Sequence, residues 1–402
     1  MHKQIGSIML VAGTCIGSGM IALPMLLAKI GVIPSILLMV FMWLLMYFSS
    51  LITVELSLKS GRGLPLGTLG RKFSGPIAEL IGTTSFKILS YALVAVYIYA
   101  GSSVLQTMLE NNNNIDYQFI SIASVYSMIA FILFLLPIKI IDYVNRFLFM
   151  GLLLVIAILI AGLTYTINWS NLPLVSEQYN NISAWQLLIP VVFGSFGFQG
   201  SCHSFVNYCD LDKVKLKRAL LWGSFIPMMV YIIWTTSTLS VIYNENPIFY
   251  SQMINGEIEI GDLVLELSSI AKWQSMQLLI WWITILAIIT SLLGVGVGLC
   301  DSIKEMLPIK PENIMKRNFF ASVITILPAY LMAISIPNAF ISVLSFAGMI
   351  LVIIAILLPV YLFYKARINI LNYSILKKRW LIIATTIIGI IIIICEVINM
   401  IK

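Results

Sequence analysis

The chain is 402 residues long, 60% hydrophobic and only 10% charged, with a mean hydropathy of +1.00; this excludes a water-soluble core and places it among polytopic membrane proteins. Its 24 basic residues against 17 acids leave a net charge of +7, which topology explains below, so no nucleic-acid partner is implied. His2 and His203 are the only histidines, and the five cysteines sit in or at the ends of apolar runs, so neither a metal site, a cofactor nor a disulfide framework is expected.

Runs long enough to cross about 30 Å of hydrocarbon predict eleven spans, at 5–28, 32–57, 82–109, 118–137, 143–167, 184–206, 219–243, 276–303, 318–336, 338–363 and 380–399. The connections are too short to fold alone. Residues 1–402 therefore read as one transmembrane domain whose function lies among its helices.

The first span, IGSIMLVAGTCIGSGMIALPMLLA, is too long for a signal-peptide core and lacks a small-residue cleavage site, so it is expected to be retained. Its centre carries Gly13, Gly17 and Gly19 beside Thr14 and Ser18. Glycine weakens a helix by roughly 1 kcal/mol per residue, and irregular backbone at membrane depth is tolerated only where it lines a cavity or is buried in protein. Gly13 and Gly17 alone also read as a small-xxx-small packing motif. Gly19 and Pro24 turn the reading toward a broken helix with a ligand site at mid-membrane.

Further along, Glu55 lies near one end of the second span. Membrane carboxylates are functional by default, although at that depth snorkelling or pairing with Lys59 explains it equally. The third span carries Tyr97 and Tyr99. Asp142, Asn145 and Arg146 open the fifth span, either as part of an inner gate or as loop charges.

The sixth span repeats the logic of the first. In LIPVVFGSFGFQGSCHSFVNYCD, Gly194, Gly197 and Gly200 recur every third residue beside Ser195 and Ser201. Interrupted helices at the first and sixth positions point to two repeats that enclose a solute, and the odd number of helices from one to the other makes the repeats inverted. Phe196 and Phe198 are either core aromatics or rings that stack on an aromatic solute. His203 titrates in a useful range, yet a lone helical histidine is more often structural. Thr290 and Ser291 open a glycine-rich stretch of the eighth span, where hydroxyls usually bond a carbonyl one turn back.

With the N-terminus inside, every lysine and arginine except Lys29, Lys272 and Lys402 falls on the inner side, and the acid-rich loops ENNNNID and GEIEIGDLVLE fall outside. The asymmetry predicts N-in, C-out.

The segments VAGTCIGSGMIALP (11–24), DYVNRFLFMGLL (142–153), PVVFGSFGFQGS (190–201), KLKRALLWGSFIP (215–227) and TSLLGVGVGLCD (290–301) occur in one order along the chain. Together they make it resemble the bacterial hydroxy and aromatic amino acid permeases, the tyrosine and tryptophan permease family within the amino acid, polyamine and organocation superfamily. The resemblance covers essentially the whole chain. It implies an all-α, leucine-transporter-like fold with inverted repeats at about 5–167 and 184–363 and an extra helix at 380–399. It also implies a multi-pass, monomeric, non-enzymatic protein of the bacterial cytoplasmic membrane that imports an aromatic amino acid, tyrosine first and then tryptophan or phenylalanine, together with a proton.

By that resemblance the substrate carboxylate meets N–H groups at Ile16, Gly17, Ser18 and Gly19, with Thr14 in the same break. The ammonium meets carbonyls at Phe193, Gly194 and Phe196, and Tyr97, Phe198 and Gln199 complete the substrate candidates. Two half-helix ends of opposite polarity suit a zwitterion without any ionised side chain. Coupling-ion candidates are Gly13, Ile16, Thr290 and Ser291 for sodium, and His203 and Glu55 for a proton. Members of the family often carry histidine where this chain has Gln199, a departure that removes a protonatable group. A carrier for serine, threonine or a branched-chain amino acid, a sodium symporter, a passive channel and a membrane-embedded transferase are the rival readings; the scarcity of histidine argues against the last.

Overall fold

The computed structural model describes residues 2–401 apart from 114–116, 137, 167–168, 170, 271–273, 309–312, 336–339 and 369–370. Within helices the side chains at 2–3, 18, 111–113, 138–139, 142, 146, 159–161, 163–166, 274–276 and 314 lie outside the description. Asp142 and Arg146 of the expected inner gate, and the Ser18 hydroxyl, belong to that group.

Among the described residues the protein is all-helical, one of the two ways a chain satisfies its backbone inside hydrocarbon. The first expected span is two helices, α1 (His2–Cys15) and α2 (Ser18–Leu27), followed by α3 (Val32–Ser60). A short amphipathic helix, α4 (Leu66–Phe73), precedes the long α5 (Pro76–Asn113), then α6 (Phe119–Leu135) and α7 (Ile138–Thr166). The sixth span is again divided, into α8 (Ile182–Ser195) and α9 (Cys202–Tyr208), before α10 (Lys213–Glu245). Two short helices, α11 (Pro247–Asn255) and α12 (Ile260–Ile270), fill the long acidic loop. After them come α13 (Gln274–Met306), α14 (Ile314–Ser335), α15 (Phe340–Val352), a π-helical turn at Ile353–Leu357, α16 (Leu358–Lys365) and α17 (Arg379–Ile401).

Among the described residues eight stretches are long and apolar enough to cross a membrane, counting Ile182–Tyr208 and Phe340–Lys365 as one each, and nine when the bent pair α1 and α2 counts as one; α6, and Tyr143–Ile158 within α7, are shorter apolar helices. The centre and the rim separate by burial. In α5 the most apolar stretch is 78% buried against other helices, whereas in α17 it is 28% buried, which leaves α17 facing lipid over most of its surface. The run Met20, Ile21, Ala22 and Leu23 on α2 is wholly enclosed, so the first interruption sits inside the bundle.

Local chemistry sets the ends. Gly31 ends the first span at φ +84°, a left-handed geometry that glycine adopts without steric cost; a side chain there would also press on the backbone of Val175 and Ser176 at 2.8 Å. The extended stretch it permits bonds to the loop before α8, through Val32 N–H to the Pro173 carbonyl at 2.9 Å and Ser176 N–H to the Ile30 carbonyl at 3.2 Å. Asp212 caps α10 by accepting from the Val214 and Lys215 N–H groups at 3.0 and 3.1 Å, and Asn246 with Pro247 starts α11, both standard helix starts.

The loop formed by α11 and α12 packs on α2, α5, α10 and α13. Tyr99 Oη donates to Glu259 Oε1 at 3.0 Å, Ser103 Oγ to Glu259 Oε2 at 3.3 Å, and Lys29 Nζ to the Ile254 carbonyl at 2.6 Å. The loop is thereby tied down over the ends of α2 and α5.

Candidate functional site

The first break follows from the glycines. The Ile16 N–H bonds back to the Ala12 carbonyl at 3.1 Å, Gly17 is extended rather than helical at φ −159° and ψ −142°, and the next bond runs from Met20 N–H to the Gly17 carbonyl at 3.0 Å. Gln4–Cys15 and Gly19–Leu27 meet at a 50° bend. The N–H groups of Gly17, Ser18 and Gly19 therefore form the N-terminus of α2, where intrahelical bonding leaves donors over and the helix dipole favours negative charge.

The second break is longer and differently built. Phe196 N–H bonds to the Phe193 carbonyl at 3.2 Å and Gly197 N–H to the Gly194 carbonyl at 3.0 Å. A 3-10 turn at Gln199–Ser201 then leads into α9. The C-terminal carbonyls of α8 gather here, the negative end of that helix.

The two breaks touch. A side chain on Gly19 would lie 2.6 Å from Ser195 Oγ, and the Cys15 thiol faces the Phe196 carbonyl at 3.9 Å. Tyr231 of α10 joins them: its hydroxyl lies 2.5 Å from the Cys15 carbonyl and 3.1 Å from the Ser195 carbonyl, and its ring meets Phe196 edge-on, centroids 5.5 Å apart. A buried phenol gains from a partner, and this one finds the last carbonyl of each first half-helix. Sequence reasoning missed Tyr231. The available signal was a tyrosine in the middle of an apolar span, whose hydroxyl has no water to bond.

Gly17 collects further candidates. A side chain at this position would collide with Ser291 Oγ and approach Tyr97 Oη at 3.7 Å, so α13 and α5 both bring a hydroxyl to the first break. Other candidates lie apart from it. Thr14 is exposed and donates to the Val11 carbonyl at 2.9 Å; Gly13 packs against the Phe149 ring, 2.7 Å from where a side chain would begin. Thr290 donates to the Leu286 carbonyl at 2.8 Å, the ordinary bond one turn back.

Phe193, Phe196 and Phe198 are enclosed in protein. Gln199 turns toward α3, with Nε2 3.5 Å from Ser49 Oγ and 3.7 Å from Met46 Sδ, while its Oε1 accepts from Cys202 at 3.0 Å. His203, on α9, has its Nε2 3.2 Å from Ser204 Oγ. Glu55 is buried, but its carboxylate accepts from the N–H and side-chain amide of Asn372 at 3.0 and 2.9 Å and from Tyr373 N–H at 3.3 Å. Those three donors account for it as the anchor of the loop before α17, in place of the expected pairing with Lys59.

A family model described as the tryptophan/tyrosine permease family matches residues 1–401. A tyrosine-specific transport system 1 of Haemophilus influenzae is 31% identical over 91% of this chain and 89% of its own. Tyrosine-specific transport system 2 of the same organism is 26% identical over 97% and 95%. A glutamine transporter 2 of Aliivibrio fischeri is 28% identical over 91% and 89%.

Proposed function

The chain belongs to the tryptophan/tyrosine permease family, a family of transporters rather than enzymes, and from that premise we propose that it imports an aromatic amino acid, tyrosine first, by proton symport with alternating access. The single observation that carries the reading is the meeting of two interrupted helices, one offering N–H groups at Gly17, Ser18 and Gly19 and the other offering carbonyls at Phe193, Gly194 and Phe196, bridged by Tyr231. A zwitterion leaving water must replace its hydration at both ends, and fixed backbone dipoles do so without an ionised side chain.

In this mechanism the α2 N-terminus holds the substrate carboxylate, with the Tyr97 hydroxyl beside it. The α8 C-terminus holds the ammonium. Substrate entry loosens the Tyr231 bridge, and the helices carrying the breaks then rock against α5 and α13. The loop of α11 and α12, held by Glu259 and Lys29, acts as the outer cover of a carrier closed on that side. The reading includes eleven spans, counting α6 and α7, a leucine-transporter-like arrangement of inverted repeats, a monomer, the bacterial cytoplasmic membrane, and N-in, C-out orientation. The charge asymmetry of the loops supports that orientation.

Accumulation of labelled tyrosine in proteoliposomes under an inward proton gradient, and its absence when the gradient is collapsed, is the expected result. No accumulation of any aromatic amino acid overturns the reading. The glutamine transporter among the relatives supports a second reading, a carrier for another neutral amino acid, and competition by each of the twenty amino acids separates the two. Dependence on sodium at constant pH would move coupling to Gly13, Ile16, Thr290 and Ser291.

A further inference from the structure

Glu396, on α17, has no part in the site just described. It is 3% exposed although most of its helix faces lipid. Ser345 Oγ of α15 donates to Glu396 Oε2, and Asn399 Nδ2, one turn on, lies 3.4 Å from the same oxygen. Asn399 also donates to the Gln186 carbonyl of α8 at 2.9 Å. The carboxyl is thus pinned where α17, α15 and α8 meet.

Its surroundings are neutral. Neither α8, α15 nor the π-helical turn at 353–357 contains an ionisable side chain. On α17 itself the neighbours are Cys395 and, at the far end, Arg379; Lys377 and Lys365 lie toward that same end, and Glu177 and Tyr179 precede α8. Lys402 lies outside the described residues. Glu55, the other buried carboxylate among the described residues, accepts three hydrogen bonds from Asn372 and Tyr373. Glu396 has one hydroxyl and one distant amide, poor compensation for a charge taken out of water.

The position is connected to the second break. Ser345 is one turn before Gly348, where a side chain would collide with the Pro190 carbonyl, and Gly348 Cα would lie 3.3 Å from a side chain on Gly194. A change in how α15 sits on α17 is therefore passed to the stretch of α8 that ends at Phe196, because close-packed helices cannot yield locally. We propose that Glu396 is a proton-binding site of the carrier, coupled through Ser345 and Gly348 to the break after α8.

On protonation one O–H bond forms with a proton from the outer water, and the same bond breaks when the proton leaves inward. The neutral acid can donate to the Ser345 oxygen, and Ser345 can turn its own hydrogen to a carbonyl one turn back. The ionised form favours an arrangement in which α17 and α15 part enough to admit water. Protonation thus favours the packing of α17 on α15, and it couples to transport only through the proton's preference for that packing over the open one. The coupling step rests on the transport reading above; the titration of Glu396 does not.

Infrared difference spectra of the full chain in lipid bilayers, recorded as a function of pH, test the site directly. A carboxylic carbonyl band that titrates in the wild type and is missing in Glu396→Gln is the expected result. In Ser345→Ala its midpoint falls by about half to one pH unit, because the neutral acid loses the hydroxyl it donates to in the closed packing while the ionised form, opened to water, loses little. In proteoliposomes Glu396→Gln is expected to exchange labelled tyrosine across the membrane but to lose gradient-driven accumulation. A band that persists in Glu396→Gln, or accumulation equal to wild type, overturns the proposal. Wild-type protein that moves no aromatic amino acid overturns the transport reading instead, while the infrared titration still decides whether Glu396 takes up a proton.

Discussion

The two broken helices look alike as strings of glycine and serine, yet their glycines serve different ends. At the first break, side chains on Gly17 and Gly19 would run into hydroxyls, Ser291 in one case and Ser195 in the other. At the second, the missing side chains of Gly194 and Gly197 make room for Gly348 and Leu351 of α15. The first break sets backbone N–H groups among polar neighbours; the second lets two helices approach closely, as small residues do in membranes. In the proposed carrier the first break supplies the donors for a substrate carboxylate, and the second also fastens α8 to α15.

Substitutions at the two sites separate these roles. Gly17→Val carries the largest expected effect: it overpacks the space before Ser291 and Tyr97 and blocks the α2 N-terminus, so tyrosine binding is abolished in protein that still inserts, with about 1–3 kcal/mol of stability lost to the overpacking. Normal uptake by that variant would remove the carboxylate site from α2. Next comes Gly348→Ala, whose added methyl meets the Pro190 backbone rather than a flexible side chain. Overpacking of this kind costs about 1–3 kcal/mol, read as a lower unfolding temperature, with substrate affinity in the surviving folded protein reduced much less. An unchanged melting curve would mean that α8 and α15 are not held together there.

The contrast also explains which parts the sequence disclosed. Long apolar runs dictate membrane helices, and local glycine content dictates where they break, so α3, α10, α13 and both interruptions were readable from composition alone. The short helices α4, α11 and α12 were not, because their loops read only as polar connections. Site residues divide the same way. Gly17 and Gly19 were readable as a break because helix-weakening glycines leave a local signature, whereas Ser291 and Tyr97 were named as site residues only through the family resemblance. Phe196 was identified by its place within the break, but its packing is on Tyr231, 35 positions away, and the partners of Glu55 and Gln199 lie still farther along the chain. No periodicity encodes such contacts.

Tyr231 joins the two regions, and its removal gives the smallest and most diagnostic effect. Tyr231→Phe keeps the edge-on contact with Phe196 and loses only the hydroxyl, leaving the Cys15 and Ser195 carbonyls without their shared donor. An unsatisfied buried acceptor costs about 1–3 kcal/mol, and this cost falls on the closed form in which the breaks touch. If the hydroxyl merely stabilises the fold, the variant melts earlier and binds tyrosine as the wild type does. If it latches the breaks until substrate arrives, the empty carrier opens more readily, exchange of labelled tyrosine speeds up, and the accumulated level under a proton gradient falls. Measuring exchange and accumulation on the same vesicles distinguishes the two, because a loss of folded protein lowers both rates together whereas a lost latch moves them in opposite directions.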